Sequence, residues 1–195
     1  LAAGKSLDAD TSTSHVLTVT ADGTDGSGTD TATVTITVTD VDDNDPVFGS
    51  DDYPSTVAED IADTVVIATV GATDADVSSG PVTYSITGGD AGGLFEVNAS
   101  GEVSLAAGKS LDAETSTSHV LTVTADETDG SGTDTATVTI TVTDVDDNDP
   151  VFGADDYPAT VAEDIADTVV IATVGATDAD VSSGPVTYSI TGGDA

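Results

Sequence analysis

The run Asp144-Val145-Asp146-Asp147-Asn148-Asp149-Pro150-Val151-Phe152 places side-chain oxygens at five of its first six positions, and the same run recurs from Asp40 to Phe48. Unneutralised carboxylates this close together repel one another, so the segment is costly to hold in one shape without a cation. Oxygen donors alone, with no Cys and no adjacent His, suit a hard ion such as Ca2+. Three more acidic signatures recur along the chain: Glu59-Asp60 with Glu163-Asp164, Asp112-Ala113-Glu114 with Asp8-Ala9-Asp10, and Asp74-Ala75-Asp76 with Asp178-Ala179-Asp180. None of these offers the six to eight oxygens that Ca2+ takes. Several of them converging on one joint would.

The composition narrows what can surround such a joint. The 195 residues carry 37 acidic side chains against two basic ones, Lys5 and Lys109, for a net charge of -35. That balance disfavours nucleic acid and anionic membrane surfaces, because counterion release needs Lys and Arg. The abundance of Val, Ile and Thr argues for a folded β protein over an acidic disordered chain. There is no Cys, so no disulfide framework exists, and bound metal is the obvious substitute cross-link in a small β domain. No apolar run approaches the ~18 residues of a membrane span, and no charged segment leading into an apolar one marks a signal peptide.

Residues 1–91 match residues 105–195 except at Asp10/Glu114, Gly23/Glu127, Ser50/Ala154 and Ser55/Ala159, which gives a period of 104 residues. That is the length of a whole domain. With the acidic run as the boundary, 1–45 is the C-terminal part of one repeat, 46–149 a complete repeat, and 150–195 the N-terminal part of a third. Neither terminal piece should complete a core by itself.

Within the complete repeat, Ala136, Val138, Ile140 and Val142 alternate with Thr137, Thr139, Thr141 and Thr143, the period of a half-buried strand over 135–144. Residues 118–125 alternate likewise, with Leu121, Val123 and Ala125 inward. Further strands are predicted at 55–59, 64–70, 82–87, 94–98 and 102–105, separated by Gly-Pro, Gly-Gly-Asp and Ser-Gly turn signals. Seven short strands without helical periodicity predict an all-β antiparallel sandwich.

With the four acidic signatures in this order, the chain resembles tandem cadherin-type repeats of large bacterial surface or secreted proteins. The run from Asp144 to Phe152 is similar to the family linker DxNDNxPxF, with Asp146 where Asn is usual. Ala58-Glu59-Asp60 resembles the family's xEx, Leu111-Asp112-Ala113-Glu114 its LDxE, and Asp74-Ala75-Asp76 its DxD. The resemblance implies a seven-stranded Greek-key, Ig-like sandwich with about three Ca2+ ions at each junction. It assigns Glu59, Asp112, Glu114, Asp144, Asp146, Asp147, Asn148, Asp178 and Asp180 to the second junction. Asp8, Asp10, Asp40, Asp42, Asp43, Asn44, Asp74 and Asp76 fall to the first. One further family aspartate maps to Asp126, with Asp129 as the other choice. Asp10 shortens a ligand arm relative to Glu114, and the adhesive tryptophan of some animal cadherins is absent.

Other features read as structural. Asp51, Asp52, Asp90, Asp134 and Glu127 are expected to be solubilising surface acids. The Thr ladder is expected to be a polar strand face, not an ice- or sugar-binding one, and His15 and His119 are expected to pack. The Gly-rich stretch ending at Gly93 reads as a loop. No nucleophile, base and orienting group form a set, so the chain is read as non-catalytic. It is expected to be an extracellular or cell-surface fibre or adhesin segment, stiffened by Ca2+, whose partners are neighbouring repeats of the same or like chains. The alternatives are recognition of cell-surface glycans or partner repeats, and lateral self-assembly into filaments.

Overall fold

A computed structural model describes residues 1–24, 26, 28–76, 80–127 and 132–193, and every regular element among them is a strand. The first part of the chain holds β1 (Ser14–Asp22) and β2 (Thr29–Thr37). The complete repeat holds β3 (Val47–Phe48), β4 (Asp52–Ala58), β5 (Ala68–Thr69), β6 (Ala72–Thr73), β7 (Val82–Gly88), β8 (Phe95–Val97), β9 (Glu102–Leu105), β10 (Ser118–Glu127) and β11 (Thr133–Thr143). The last part holds β12 (Val151–Phe152) and β13 (Ala176–Thr177).

The alternation of Val or Ile with Thr builds the main sheet. β10 and β11 pair antiparallel, and Leu121, Val123, Val138 and Ile140 are fully buried between hydroxyl-bearing neighbours on the opposite face. β4 joins the outer side of β11 and β7 the outer side of β10, giving the order β4-β11-β10-β7. The facing layer is β5-β9-β8 with the short pair β3-β6. Phe48, Ile67, Val70, Phe95, Val103, Leu105 and Leu111 fill the space between. This is the all-β sandwich expected from the sequence. Two glycines are required by close approach. Gly89 has φ +81° and a Cβ there would lie 1.8 Å from the Val120 carbonyl oxygen; at Gly101, with φ +77°, it would lie 2.2 Å from that of Val70.

Two expectations need correction. The sandwich is not antiparallel throughout, because β4 runs parallel to β11 from Asp52 beside Thr137 to Ala58 beside Thr143. A parallel pair needs a long crossover, and nearly the whole repeat lies between these strands. The strand predicted at 64–70 also starts late. Residues 63–65 turn instead, with Val65 N–H donating to the Ala62 carbonyl at 3.0 Å, and Val65 and Val66 stay exposed. Pairing begins where Ile67 N–H reaches the Val103 carbonyl at 2.8 Å, and the strand divides into β5 and β6 around Gly71.

The near-identical copies act as an internal control on what burial requires. β1 and β2 pair in the register of β10 and β11, displaced by one period. Yet Leu17 is 49% exposed where Leu121 is 0%, and Val19 is 52% exposed where Val123 is 0%. Phe152 is 54% exposed where Phe48 is 6%. Residues 156–162 and 186–192 copy β4 and β7 but form no strand, since neither has its sheet partner beside it. Hairpin register is therefore local, while the core needs both halves of a repeat. Leu121→Ala is expected to cost ~2–5 kcal/mol by cavity formation. The same change at Leu17 should leave the urea midpoint of the complete repeat unmoved in dilute protein.

Candidate metal centre

At the second junction three elements meet. Directly after β4 comes Glu59, a carboxylate only 4% exposed. Its Oε2 accepts from Ala113 N–H at 2.6 Å and its Oε1 from Val145 N–H at 2.7 Å. One side chain thus ties the loop before β10 to the start of the linker. Asp112 Oδ1 accepts from Thr115 N–H at 2.8 Å, a bond that closes a turn within that loop. From the far side, Asp178 Oδ1 accepts Asp180 N–H at 3.1 Å, and Asp180 accepts from Asn148 through both its backbone N–H and its side-chain Nδ2, each at 2.8 Å. Ser182 N–H donates to Asp144.

The result is three groups of carboxylates, each with ligand oxygens within 4.8 Å of one another: Glu59, Glu114 and Asp147; Glu114, Asp144 and Asp180; and Asp146, Asp178 and Asp180. Glu114 belongs to two groups and Asp180 to two, so the three form a connected line across the linker. At the first junction Asp10, Asp43 and Asp76 form one such group. Asn44 Nδ2 bonds to Asp10 at 2.9 Å, Asp43 at 3.1 Å and Asp76 at 3.0 Å, and Asp76 also takes Asp43 N–H and Asn44 N–H. A pocket of about 410 Å³ opens beside it, lined by Asp8, Asp10, Asp40, Asp43 and Asn44 among others. Asp42 lies against Asp76, and Asp74 Oδ1 accepts Asp76 N–H at 2.7 Å.

The donor set fits a hard divalent cation. It is entirely oxygen, it is anionic, and two buried carboxylate oxygens, Asp74 Oδ2 and Asp144 Oδ1, accept no hydrogen bond. Burial removes solvation from these charges, and a metal returns it. The acidities tell the same story. Hydrogen-bond sharing with Asp144 is the main cause that pushes the Glu114 carboxyl up to about 7; Asp144, for its part, is held below the usual range by Glu114 and then by Ser182. Desolvation raises Asp146, Asp147 and Asp10, with neighbouring carboxylates adding to it; for Asp147 these are Glu59, Asp180, Asp112 and Asp144. Asn148 holds Asp180 low, as Asn44 holds Asp76 and Thr11 holds Asp8.

Not every residue assigned from the sequence reaches a cluster. Asp126 sits on the exposed face of β10 and joins none of the acidic groups among the described residues, while Asp129 lies outside those residues. The buried acid at that end of β10 is Glu127, 2% exposed, which corrects the expectation of a solubilising surface acid there. Strand parity could have found it, since Leu121, Val123, Ala125 and Glu127 share one phase. β10 ends there beside the first linker, because Glu127 N–H reaches the Gly132 carbonyl, and a Cβ at Gly132 would lie 2.3 Å from Asp45 Oδ1.

Three other acids expected at the surface make structural hydrogen bonds, and of these Asp52 is exposed as expected. Asp134 accepts Phe48 N–H at 2.8 Å, Asp90 accepts Leu94 N–H at 2.7 Å and Phe95 N–H at 3.2 Å, and Asp52 accepts the Thr139 hydroxyl at 3.0 Å. Asp51 is exposed. His119 packs edge-on to Phe95 with ring centroids 5.2 Å apart.

Comparison with known proteins then decides the family. The family model described as Cadherin domain matches residues 53–143. These are cadherin-type repeats. The cadherin EGF LAG seven-pass G-type receptor fmi-1 of Caenorhabditis elegans is 39% identical over 95% of this chain, which spans 7% of that protein. Human protocadherin Fat 1 is 38% identical over 78% of this chain, which spans 3% of it. Among solved structures, the protocadherin GammaB4 extracellular domain superposes with a TM-score of 0.78 at 29% identity, covering 92% of this chain and 28% of that one. Mouse cadherin-23 EC22-24 gives 0.74 at 30% identity, covering 90% and 57%. Cadherin repeats of this kind are extracellular or cell-surface adhesion modules that bind Ca2+. No helix among the described residues is long and apolar enough to cross a membrane.

The Glu114 shift carries a pH dependence whose sign is fixed. A carboxyl raised from 4.5 to about 7 stabilises the folded, metal-free junction below pH 4.5, and that contribution is lost as pH rises through about 7. Asp144 is lowered, so its own contribution fails only as pH falls below its ordinary 3.8. The thermal midpoint of metal-stripped protein should therefore fall between pH 4.5 and 7. Glu114→Gln should flatten that slope in a calorimetric titration.

Proposed function

We propose that the chain is a Ca2+-stiffened spacer and adhesion segment of an extracellular fibre or adhesin, divided into repeats at 1–45, 46–149 and 150–195. About three Ca2+ ions sit at the complete junction, held by Glu59, Asp112, Glu114, Asp144, Asp146, Asp147, Asn148, Asp178 and Asp180. The first junction uses Asp8, Asp10, Asp40, Asp42, Asp43, Asn44, Asp74 and Asp76. One observation carries this reading: the Glu114, Asp144 and Asp180 group takes one carboxylate from each of the preceding repeat, the linker and the following repeat. An ion bound there would neutralise all three and remove the repulsion that favours a bent or mobile joint. The role is mechanical and non-enzymatic, in keeping with a cadherin-type module. The partners are Ca2+ and neighbouring or like repeats.

Sites of this anionic, surface-open kind bind Ca2+ with dissociation constants of roughly 10⁻⁴–10⁻³ M in extracellular modules. Small-angle scattering in millimolar Ca2+ should give a longer maximum dimension than in EGTA; an unchanged dimension would sink the reading. Asp180→Ala removes a ligand from two groups at once. It should raise the Ca2+ needed for half-maximal stiffening ~10-fold or more, read by the same scattering titration.

A further inference from the structure

The asparagines of this chain are Asn44, Asn98 and Asn148. Asn44 and Asn148 belong to the linkers, and each is followed by Asp-Pro. Asn98 is followed by Ala99 and Ser100, which is the acceptor pattern of N-linked glycosylation, with a residue other than proline between the amide and the hydroxyl. The pattern has chemical meaning on an accessible segment of an exported chain, and cadherin-type repeats are extracellular or cell-surface modules.

The fold puts the pattern on such a segment. Asn98, Ala99 and Ser100 are all exposed and lie in the turn between β8 and β9. Gly101 N–H donates to the Asn98 carbonyl at 3.0 Å, and Asn98 N–H to the Glu102 carbonyl at 3.0 Å. Asn98 Oδ1 accepts from Ser100 N–H at 2.9 Å and from Glu102 N–H at 3.1 Å. These bonds give a purely structural reason for an oxygen-bearing side chain at 98. None of them uses the Ser100 hydroxyl, so the turn explains the asparagine and not the serine.

Asn98 Nδ2 donates to Glu102 Oε2 at 2.7 Å. A side-chain amide has two N–H groups, so one can be replaced while the other keeps that bond. A sugar joined at Nδ2 thus leaves Oδ1 and the backbone of the turn as they are. There is also room for it. Asn98, Glu96, Glu102 and Ser104 line a groove of about 330 Å³ together with Val66, which is 47% exposed. β8 is the outer strand of its layer, and a chain attached directly after it stands beside an open sheet edge, a surface that proteins otherwise blunt with charge or proline.

We propose that Asn98 is the acceptor of an N-linked glycan. The co-reactant is an oligosaccharide carried on a lipid diphosphate. Nδ2 forms a bond to the anomeric carbon of the first sugar, and the bond from that carbon to the diphosphate oxygen breaks. The diphosphate leaves with the electron pair, one Nδ2 proton is lost, and nothing is oxidised or reduced. No junction ligand named above lines the groove, so the modification depends on export and not on Ca2+.

The test is secretion of the full 195-residue chain by a eukaryotic cell line that transfers N-linked glycans, followed by peptide mass spectrometry. The peptide spanning Asn98 should carry added sugar mass. Enzymatic release of that sugar in heavy-oxygen water should leave an isotope-labelled aspartate at the same position. Ser100→Ala keeps every backbone bond of the turn and should abolish the modification, whereas Ser100→Thr should retain it. A secreted chain whose Asn98 peptide is unmodified overturns the proposal, and so does sugar that persists on that peptide in Ser100→Ala. Scattering of Ser100→Ala in Ca2+ and in EGTA should match that of the unaltered chain, so loss of the glycan and loss of Ca2+ stiffening are separable results.

Discussion

Like charges at short range set the terms for this molecule. Two carboxylates 4 Å apart repel by ~1 kcal/mol in water and ~4 kcal/mol at the effective dielectric near a protein surface, and the second junction holds three such groups in a line. Backbone N–H groups and Asn148 offset part of that, chiefly at Asp180 and Glu59. With 37 acids and two lysines in the chain, no internal cation can supply the rest. The linker geometry is thus tied to the ionic content of the surroundings, whereas the sandwich on either side is tied to apolar burial. Stiffness and fold are separately controlled.

The repeated sequence separates local from tertiary causes more cleanly than most mutations would. The Val/Thr alternation suffices to make a hairpin, since β1–β2 forms with its inward face bare. It does not suffice for the outer strands, because copies of β4 and β7 remain irregular without a neighbour. Strand propensity here describes fitness for a pleated, half-buried surface, and half of that surface is supplied from elsewhere in the repeat.

This explains what could be read from the residues. Alternation identified β10 and β11, and the acidic signatures located the joint, because both are short-range patterns. The parallel pairing of β4 with β11 was invisible, since it joins residues some 85 positions apart. Residues 64–66 look like a strand by composition, yet no ladder partner reaches them before Ile67. Asp90 and Asp134 look like solubilising charge because a carboxylate that accepts backbone hydrogens has no distinctive neighbours in sequence. Glu127 is a different case: its charge suggests the surface, while its strand parity with Leu121, Val123 and Ala125 turns it inward.

The parallel pair has a consequence for any repeat that is pulled by its two ends. Tension on a repeat enters near Pro46, ahead of β4, and leaves at Asp144, after β11. Because the two strands run side by side in the same direction over seven residue pairs, pulling the ends apart slides one along the other. The ladder is then loaded in shear, with its hydrogen bonds sharing the force, instead of being peeled open one bond at a time. An antiparallel pairing of the terminal strands would have unzipped.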